Sequence, residues 1–318
     1  MNVLKGLVVI AIAALLAAPA VYWLSPSLFL RAAVALERAD AGLSSQQLAI
    51  PGFSLRYLDS GGAGAPLLLV HGFGGDKDNW TRLAKHLGDD IRVIAPDLPG
   101  YGRSDAPIDA DYGLDAQVER LRMLIERLGL TRVHVGGNSM GGNIAARFAA
   151  RYPNQVGSLW LIANSGVASA PQSELRRQIA EGRPNPLVAT TRAEYRELLG
   201  WVMAQPPTLP DALVDVLADR AIAAHTLRQR QFEQLYAQTD PLEQVLDGLP
   251  VPTHIVWGAQ DRVLHAGAVE VLRKLLPQAS HTVLDGIGHL PMVEAPEATA
   301  QDYLEFRMRL ATGATAAR

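Results

Sequence analysis

RVHVGGNSMGGNIAARFAARYP, residues 132–153, is the stretch on which the reading of the chain turns. Its opening is short and β-branched, as in a buried strand. From Gly142 onward its apolar residues recur at helical spacing, and Pro153 stops the helix. Between the two lies Gly137-Asn138-Ser139-Met140-Gly141, a G-x-S-x-G pattern. A serine on so sharp a strand-to-helix turn needs glycine at i−2 and i+2, because a Cβ at either flank would clash. It takes a strained backbone so that its Oγ projects above the sheet. It also stands at a helix N-terminus, where free N–H groups favour negative charge. Ser139 is therefore read as a nucleophile.

Strand-like runs on either side set the fold. Residues 53–59 alternate like an edge strand, and 67–70 form an apolar run suited to burial on both faces. Further strands are expected at 91–95, 158–163, 253–257 and 281–284. Helices are expected at 80–87 (capped by Asp78 or Asn79), 117–128 and 296–310. Strands alternating with helices imply an α/β protein with a mostly parallel, doubly wound sheet. The alternation lapses from Ser165 to Leu249. There, helical patterns at 174–181, 192–203 and 211–238 are separated by prolines, and they read as a cap inserted after the sixth strand. The expected organisation is an N-terminal segment (1–45), a catalytic core (46–164 and 250–318) and a helical cap (165–249).

The 318 residues are 48% apolar and 19% charged, with a formal charge of −3. This composition suits a large core and excludes global disorder. No run of lysine and arginine marks a nucleic-acid footprint. The absence of cysteine excludes disulfides and thiolate metal sites. No phosphate loop, dinucleotide fingerprint or H-E-x-x-H is present. Asp76-Lys77-Asp78 is read as a helix-start cluster rather than a metal site. No cofactor, metal or obligate protein partner is expected.

Residues 6–30 carry no charge. The first nineteen of them would span about 28 Å as a helix, close to a bilayer's hydrocarbon core. Tyr22 and Trp23 stand at the far end, as interfacial aromatics do. Ala18-Pro19-Ala20 resembles a signal-peptidase site, but the proline within it and the apolar run beyond it favour an uncleaved anchor. We expect a single-helix anchor in a bacterial inner membrane with the body outside the cytoplasm; the alternative is secretion after cleavage. Residues 28–43 are expected to lie at the interface with Arg31, Glu37, Arg38 and Asp40 toward water, or else to pack on the body as a surface helix.

A serine nucleophile needs a base, and the base an orienting acid. His289, in the glycine-rich loop after the last strand, and Asp261, in the loop after residues 253–257, fit these roles. The order Ser139, Asp261, His289 is that of a nucleophile-elbow hydrolase. The backbone N–H of Met140 is one expected oxyanion donor. That of Phe73, in His71-Gly72-Phe73-Gly74-Gly75, is the other.

HGFGG at 71–75, DLPGYGRS at 97–104, GNSMGG at 137–142 and Gly288-His289 together resemble the α/β-hydrolase superfamily over residues 50–310. HGFGGDKDNW (71–80), the NSMGG elbow and the apolar N-terminus are similar to membrane-anchored monoacylglycerol-lipase-like enzymes and related bacterial lipases. The resemblance implies a serine hydrolase of lipid or other acyl esters, without a cofactor, with a helical cap over an acyl pocket. His71, Gly72, Asn138, Leu199, Trp201 and Met203 are expected at the substrate, with Leu187, Val202 and Leu213 as further cap residues of that kind. A carbon–carbon bond hydrolase or an amidase on the same triad is the alternative; Leu290-Pro291 after His289, where a tryptophan usually stands in the former, weakens it. A membrane-tethered binding protein is the third reading.

Overall fold

In the computed structural model, residues 19, 21–237 and 240–312 are described. Eight strands form one sheet: β1 (Ser44–Ile50), β2 (Phe53–Asp59), β3 (Ala65–Val70), β4 (Ile91–Pro96), β5 (Val133–Asn138), β6 (Val156–Ile162), β7 (Thr253–Gly258) and β8 (Ser280–Leu284). Their order is β1-β2-β4-β3-β5-β6-β7-β8. β1 and β2 pair antiparallel, β2 runs antiparallel to β4, and all later pairs are parallel. The central strands are buried throughout their second halves, as continuous apolar runs predict.

β1 is the strand that the sequence reading passed over. Its SSQQLAI is mostly exposed, because it pairs on one side only and packs little beneath. Among the helices, α1 (Pro26–Asp40), α2 (Thr81–Ala84), α3 (Leu114–Arg127) and α4 (Met140–Arg151) precede β6. Between β6 and β7 come α5 (Glu174–Ala180), α6 (Arg192–Val202), α7 (Asp211–Ala223), α8 (His225–Ala237) and α9 (Leu242–Leu246). The expected helix 211–238 is thus two helices, broken at Ala224. α10 (Ala268–Leu275), α11 (Pro291–Glu294) and α12 (Pro296–Thr312) complete the chain. Two apolar clusters sandwich the sheet. One holds Ile144, Phe148 and Trp257; the other holds Trp80, Trp160, Tyr303 and Phe306.

The expected helix 80–87 is a 3₁₀ turn, Lys77–Trp80, followed by the short α2. Its cap is Asp76, two residues before Asp78 and three before Asn79. Asp76 accepts from the Asp78 N–H at 2.8 Å while Asn79 returns a bond to the Asp76 N–H.

The expected membrane span, residues 6–24, lies mostly outside the described residues, as does most of the Ala18-Pro19-Ala20 site. Among the described residues no helix is long and apolar enough to cross a membrane. α1 lies on the body as a surface helix, the second of the two readings of 28–43; Arg31, Glu37 and Asp40 are exposed and Arg38 is half-buried. Arg38 donates twice to Asp78 at 2.6 Å, Glu37 pairs with Arg82 at 3.0 Å, and Asp40 pairs with Lys85 at 2.6 Å. α1 also packs against α7 and α2. Leu28 and Leu36, by contrast, are exposed.

Candidate active site

The elbow closes because its glycines have no Cβ. An added Cβ at Gly137 would lie 2.2 Å from the Gly141 carbonyl oxygen, and one at Gly141 would lie 2.1 Å from that of Val70. Ser139, between β5 and α4, is held at φ 55° and ψ −120°, outside the regions open to ordinary residues. Its N–H donates to Ile162 at 3.0 Å, and its carbonyl accepts from Ser165 at 3.0 Å. Hydrogen bonds to β6 and the loop beyond it thus hold the unusual backbone in place.

Two other loops converge on it. Gly72 packs directly on the serine: an added Cβ there would sit 3.1 Å from Ser139 Cβ. Asn138 donates to the carbonyl of His289 at 3.0 Å and to that of Ile162 at 3.2 Å, so the histidine's backbone lies against the elbow. His289 Nδ1 donates to Asp261 Oδ2 at 2.8 Å. Asp261 Oδ1 accepts from the N–H groups of Val263 and Leu264 at 2.8 and 2.9 Å, which fixes the carboxylate. Both residues are buried. His289 Nε2 has no protein hydrogen-bond partner among the described residues, Ser139 Oγ included. The Met140 N–H, in the first turn of α4, has no acceptor within its helix. That of Phe73 donates to no backbone atom among the described residues.

Two residues expected at the substrate are placed otherwise. His71 is fully buried. Its Nδ1 donates to the Gly72 carbonyl at 2.8 Å and its Nε2 accepts from the Leu98 N–H at 3.1 Å. Both nitrogens brace the glycine loop, because two buried backbone groups need partners there. Asn138 is likewise buried and spends its amide on the two carbonyls above. Gly72 does border the nucleophile. Leu199 and Trp201 are half-buried on α6, and one face of Trp201 is taken by the Arg262 guanidinium, 4.2 Å from the ring centroid. Met203 is buried beside Gly288.

The same bonding predicts an acid weakness. Burial pulls the His71 imidazole down to about 4, and burial does the same to His134, also to about 4. A free histidine titrates near 6.5, so below that pH the unfolded chain takes up protons that the folded one refuses. Stability is then full above pH 6.5 and falls as pH drops toward 4, by about 2 kcal/mol per histidine at pH 5. Asp76, which burial raises to about 6, has the opposite sign and returns about 1 kcal/mol. Urea unfolding at pH 7 and pH 5 should show a net loss of about 2–3 kcal/mol; equal stabilities would refute the assignment.

Glu294 is a residue that the sequence reading missed. Its Oε1 accepts from the N–H groups of Gly288 (3.0 Å) and Leu290 (3.4 Å), on either side of His289. Its Oε2 accepts from Ala204 (2.7 Å) and Gln205 (3.3 Å), just past α6. One carboxylate therefore holds the histidine loop and the cap together, and the His289 N–H reaches the Val202 carbonyl at 3.0 Å alongside. No motif marks such a residue; a glutamate five positions after a loop histidine reads as ordinary helix surface. Glu294→Ala should lower kcat by about tenfold or more through misplacement of His289. Glu294→Gln, which can still accept on one side, should lose less. Steady-state kinetics on a short ester would check this.

The sequence profile of the family described as alpha/beta hydrolase fold matches residues 65–296. Lipase 1 of Psychrobacter immobilis is 40% identical over 277 residues, covering 85% of each chain. Monoacylglycerol lipase ABHD6 of Bos taurus is 30% identical, covering 76% of this chain and 74% of its own. A solved structure, described as a membrane phospholipase A and a novel bacterial virulence factor, superposes with a TM-score of 0.88 at 41% identity, covering 98% of this chain and 99% of the other.

Proposed function

This chain belongs to the α/β-hydrolase fold family and is a lipase- or esterase-type hydrolase, and we propose that it cleaves lipid acyl esters through a Ser139–His289–Asp261 triad. The observation that carries this is the 2.8 Å bond from His289 Nδ1 to Asp261, set beside a serine on a strained elbow. With Nδ1 protonated and engaged, Nε2 is the basic nitrogen. It takes the Ser139 proton as Oγ attacks the ester carbonyl, and the Asp261 carboxylate steadies the imidazolium that forms. The developing oxyanion is received by the N–H groups of Met140 and Phe73. His289 then protonates the leaving alcohol, and water deacylates the enzyme by the same route. The Ser139–His289 contact tightens when substrate expels water.

Aromatic surface supports an acyl group rather than a polar one. Phe73 packs on Phe232 of α8 with centroids 5.5 Å apart, and Phe232 on Tyr236 at 4.4 Å. Monoacylglycerols and related lipids fit such a route. Membrane residence is part of the same proposal. Trp23, Leu24, Leu28 and Leu36 are exposed at the N-terminal helix, Trp23 by 79% and Leu24 by 86%, and the uncharged run of the sequence continues toward the N-terminus from them. The test is hydrolysis of p-nitrophenyl esters and monoacylglycerols of graded chain length, with Ser139→Ala as control. Inertness toward all of them would sink the proposal.

A further inference from the structure

Tyr101 stands where three parts of the protein meet. It follows β4, in the loop Asp97-Leu98-Pro99-Gly100-Tyr101, and it is 1% exposed. Toward the glycine loop, its ring makes edge contacts with His71, centroids 5.1 Å apart, and with Phe73, 6.4 Å apart. Toward the elbow, its hydroxyl donates to Met140 Sδ at 3.4 Å. Toward the cap, the Arg228 guanidinium of α8 lies 4.4 Å from the ring centroid. Phe73 and Met140 are the residues whose N–H groups receive the oxyanion in the proposal above. One side chain thus touches both halves of that hole.

The chain is built to bring it there. Gly100 has φ 89°, and a Cβ on it would lie 2.3 Å from Gln231 Nε2 and 2.4 Å from the Tyr112 ring, so only glycine lets α8 come so close. The Gly100 carbonyl accepts from Arg228 Nη1 at 2.8 Å and from the buried Gln231 Nε2 at 3.2 Å. Those bonds fix the backbone that carries Tyr101. The hydroxyl is the unusual part. A buried tyrosine hydroxyl needs a partner, and a thioether is a weak acceptor. Phenylalanine would serve packing alone equally well. What the O–H···S contact adds is direction. Methionine has three rotatable side-chain bonds, and the contact holds this one in a single setting at the first residue of α4. Burial pushes the phenol up, so it stays a donor.

We propose that Tyr101 is a positioning residue for the oxyanion hole, setting the separation and direction of the Phe73 and Met140 N–H groups from one buried side chain. This rests on the hydrolase reading. A donor must sit about 2.7–3.1 Å from the oxyanion, and the loss of one costs about 10²–10³ in rate. A misplacement near 1 Å costs about 10²-fold. Tyr101 touches no reacting atom in this scheme and acts through its two neighbours.

The experiment uses the full chain and three variants. Tyr101→Phe keeps the ring and removes the hydroxyl, Tyr101→Leu removes the ring edges as well, and Met140→Leu removes the acceptor. Two quantities are read: kcat and KM on a short p-nitrophenyl ester, and Ki for an alkyl trifluoromethyl ketone. Ser139 Oγ adds to the carbonyl carbon of that ketone, the serine proton passes to His289, and the hemiketal oxygen occupies the hole. The ketone therefore reads the placement of the donors without turnover. We expect kcat to fall about tenfold in Tyr101→Phe and about 100-fold in Tyr101→Leu, with KM within about twofold and Ki rising by the factor that kcat/KM loses. A merely structural role would lower Tm and keep both constants, as Phe306→Leu in the opposite apolar cluster should. Wild-type kinetics in Tyr101→Leu, or a Ki that stays put while kcat falls, overturns the inference and leaves the hydrolase intact. Should Tyr101→Leu fail to fold, the milder pair decides. Tyr101→Phe and Met140→Leu remove the two ends of one contact, so the double variant should be no slower than the slower single; additive losses overturn the inference. Inertness of the wild type toward every ester and the ketone sinks the hydrolase reading and this inference with it.

Discussion

Ser139→Ala should lower kcat/KM by about 10⁴–10⁶ on any ester that the wild type hydrolyses, and should abolish labelling by a fluorophosphonate. The fall is that large because the nucleophile, base and acid act as one unit. Without Oγ, the Asp261–His289 pair has no proton to move. On the proposed mechanism, what survives is the glycine loop and the cap, which would bind the ester and receive its oxyanion but cannot attack it. The variant should fold as well as the parent. Alanine has the same backbone demand at φ 55°, and the hydrogen bonds that hold the elbow come from the Ser139 backbone, not its side chain. Ser139→Gly should raise the melting temperature, because glycine occupies positive φ without strain. A Ser139→Ala protein retaining activity would remove the mechanism altogether.

The largest structural effect should come from Asp97. Its carboxylate pairs with Lys77 Nζ at 2.8 Å, and the two side chains are 0% and 1% exposed. It also accepts from the N–H groups of Lys77 and Arg103, each at 2.8 Å. Asp97→Asn keeps the shape and removes the charge, leaving the buried Lys77 ammonium with only the longer pair to Asp78 at 3.8 Å. The expected cost is about 3–5 kcal/mol, seen as a fall in Tm of roughly 5–7 °C. A double variant that also replaces Lys77 by methionine should be more stable than Asp97→Asn alone, because the stranded charge is gone. Additive losses in that cycle would mean that the ion pair carries no special energy.

Much of this architecture was legible in the sequence, and for a physical reason. A parallel strand buried on both faces must be apolar along its length, so residues 67–70 and 158–163 announce themselves. The elbow is legible because two glycines are sterically compulsory there. Strand β1 was not, since an exposed edge imposes no pattern on Ser44-Ser45-Gln46-Gln47. Nor were the roles of His71 and Asn138, whose residue types suggest substrate contact but whose polar atoms serve backbone groups of Gly72, Leu98 and His289. Glu294 illustrates the same limit: it joins segments 90 residues apart, a relation that spacing along the chain does not encode.

The orientation of α1 has a mechanical side. The tether proposed at the N-terminus would deliver its load to the body where Arg38 grips Asp78. Asp78 adjoins Lys77, whose ammonium is locked to Asp97, and Asp76, which caps the turn immediately after Gly75. Tension from a bilayer would therefore enter the protein a few residues from the glycine loop that borders Ser139, through charged couplings that salt can loosen. α1 is also in contact with α7. The strut that would steady the enzyme against a membrane thus bears on both the floor and the roof of its working cleft.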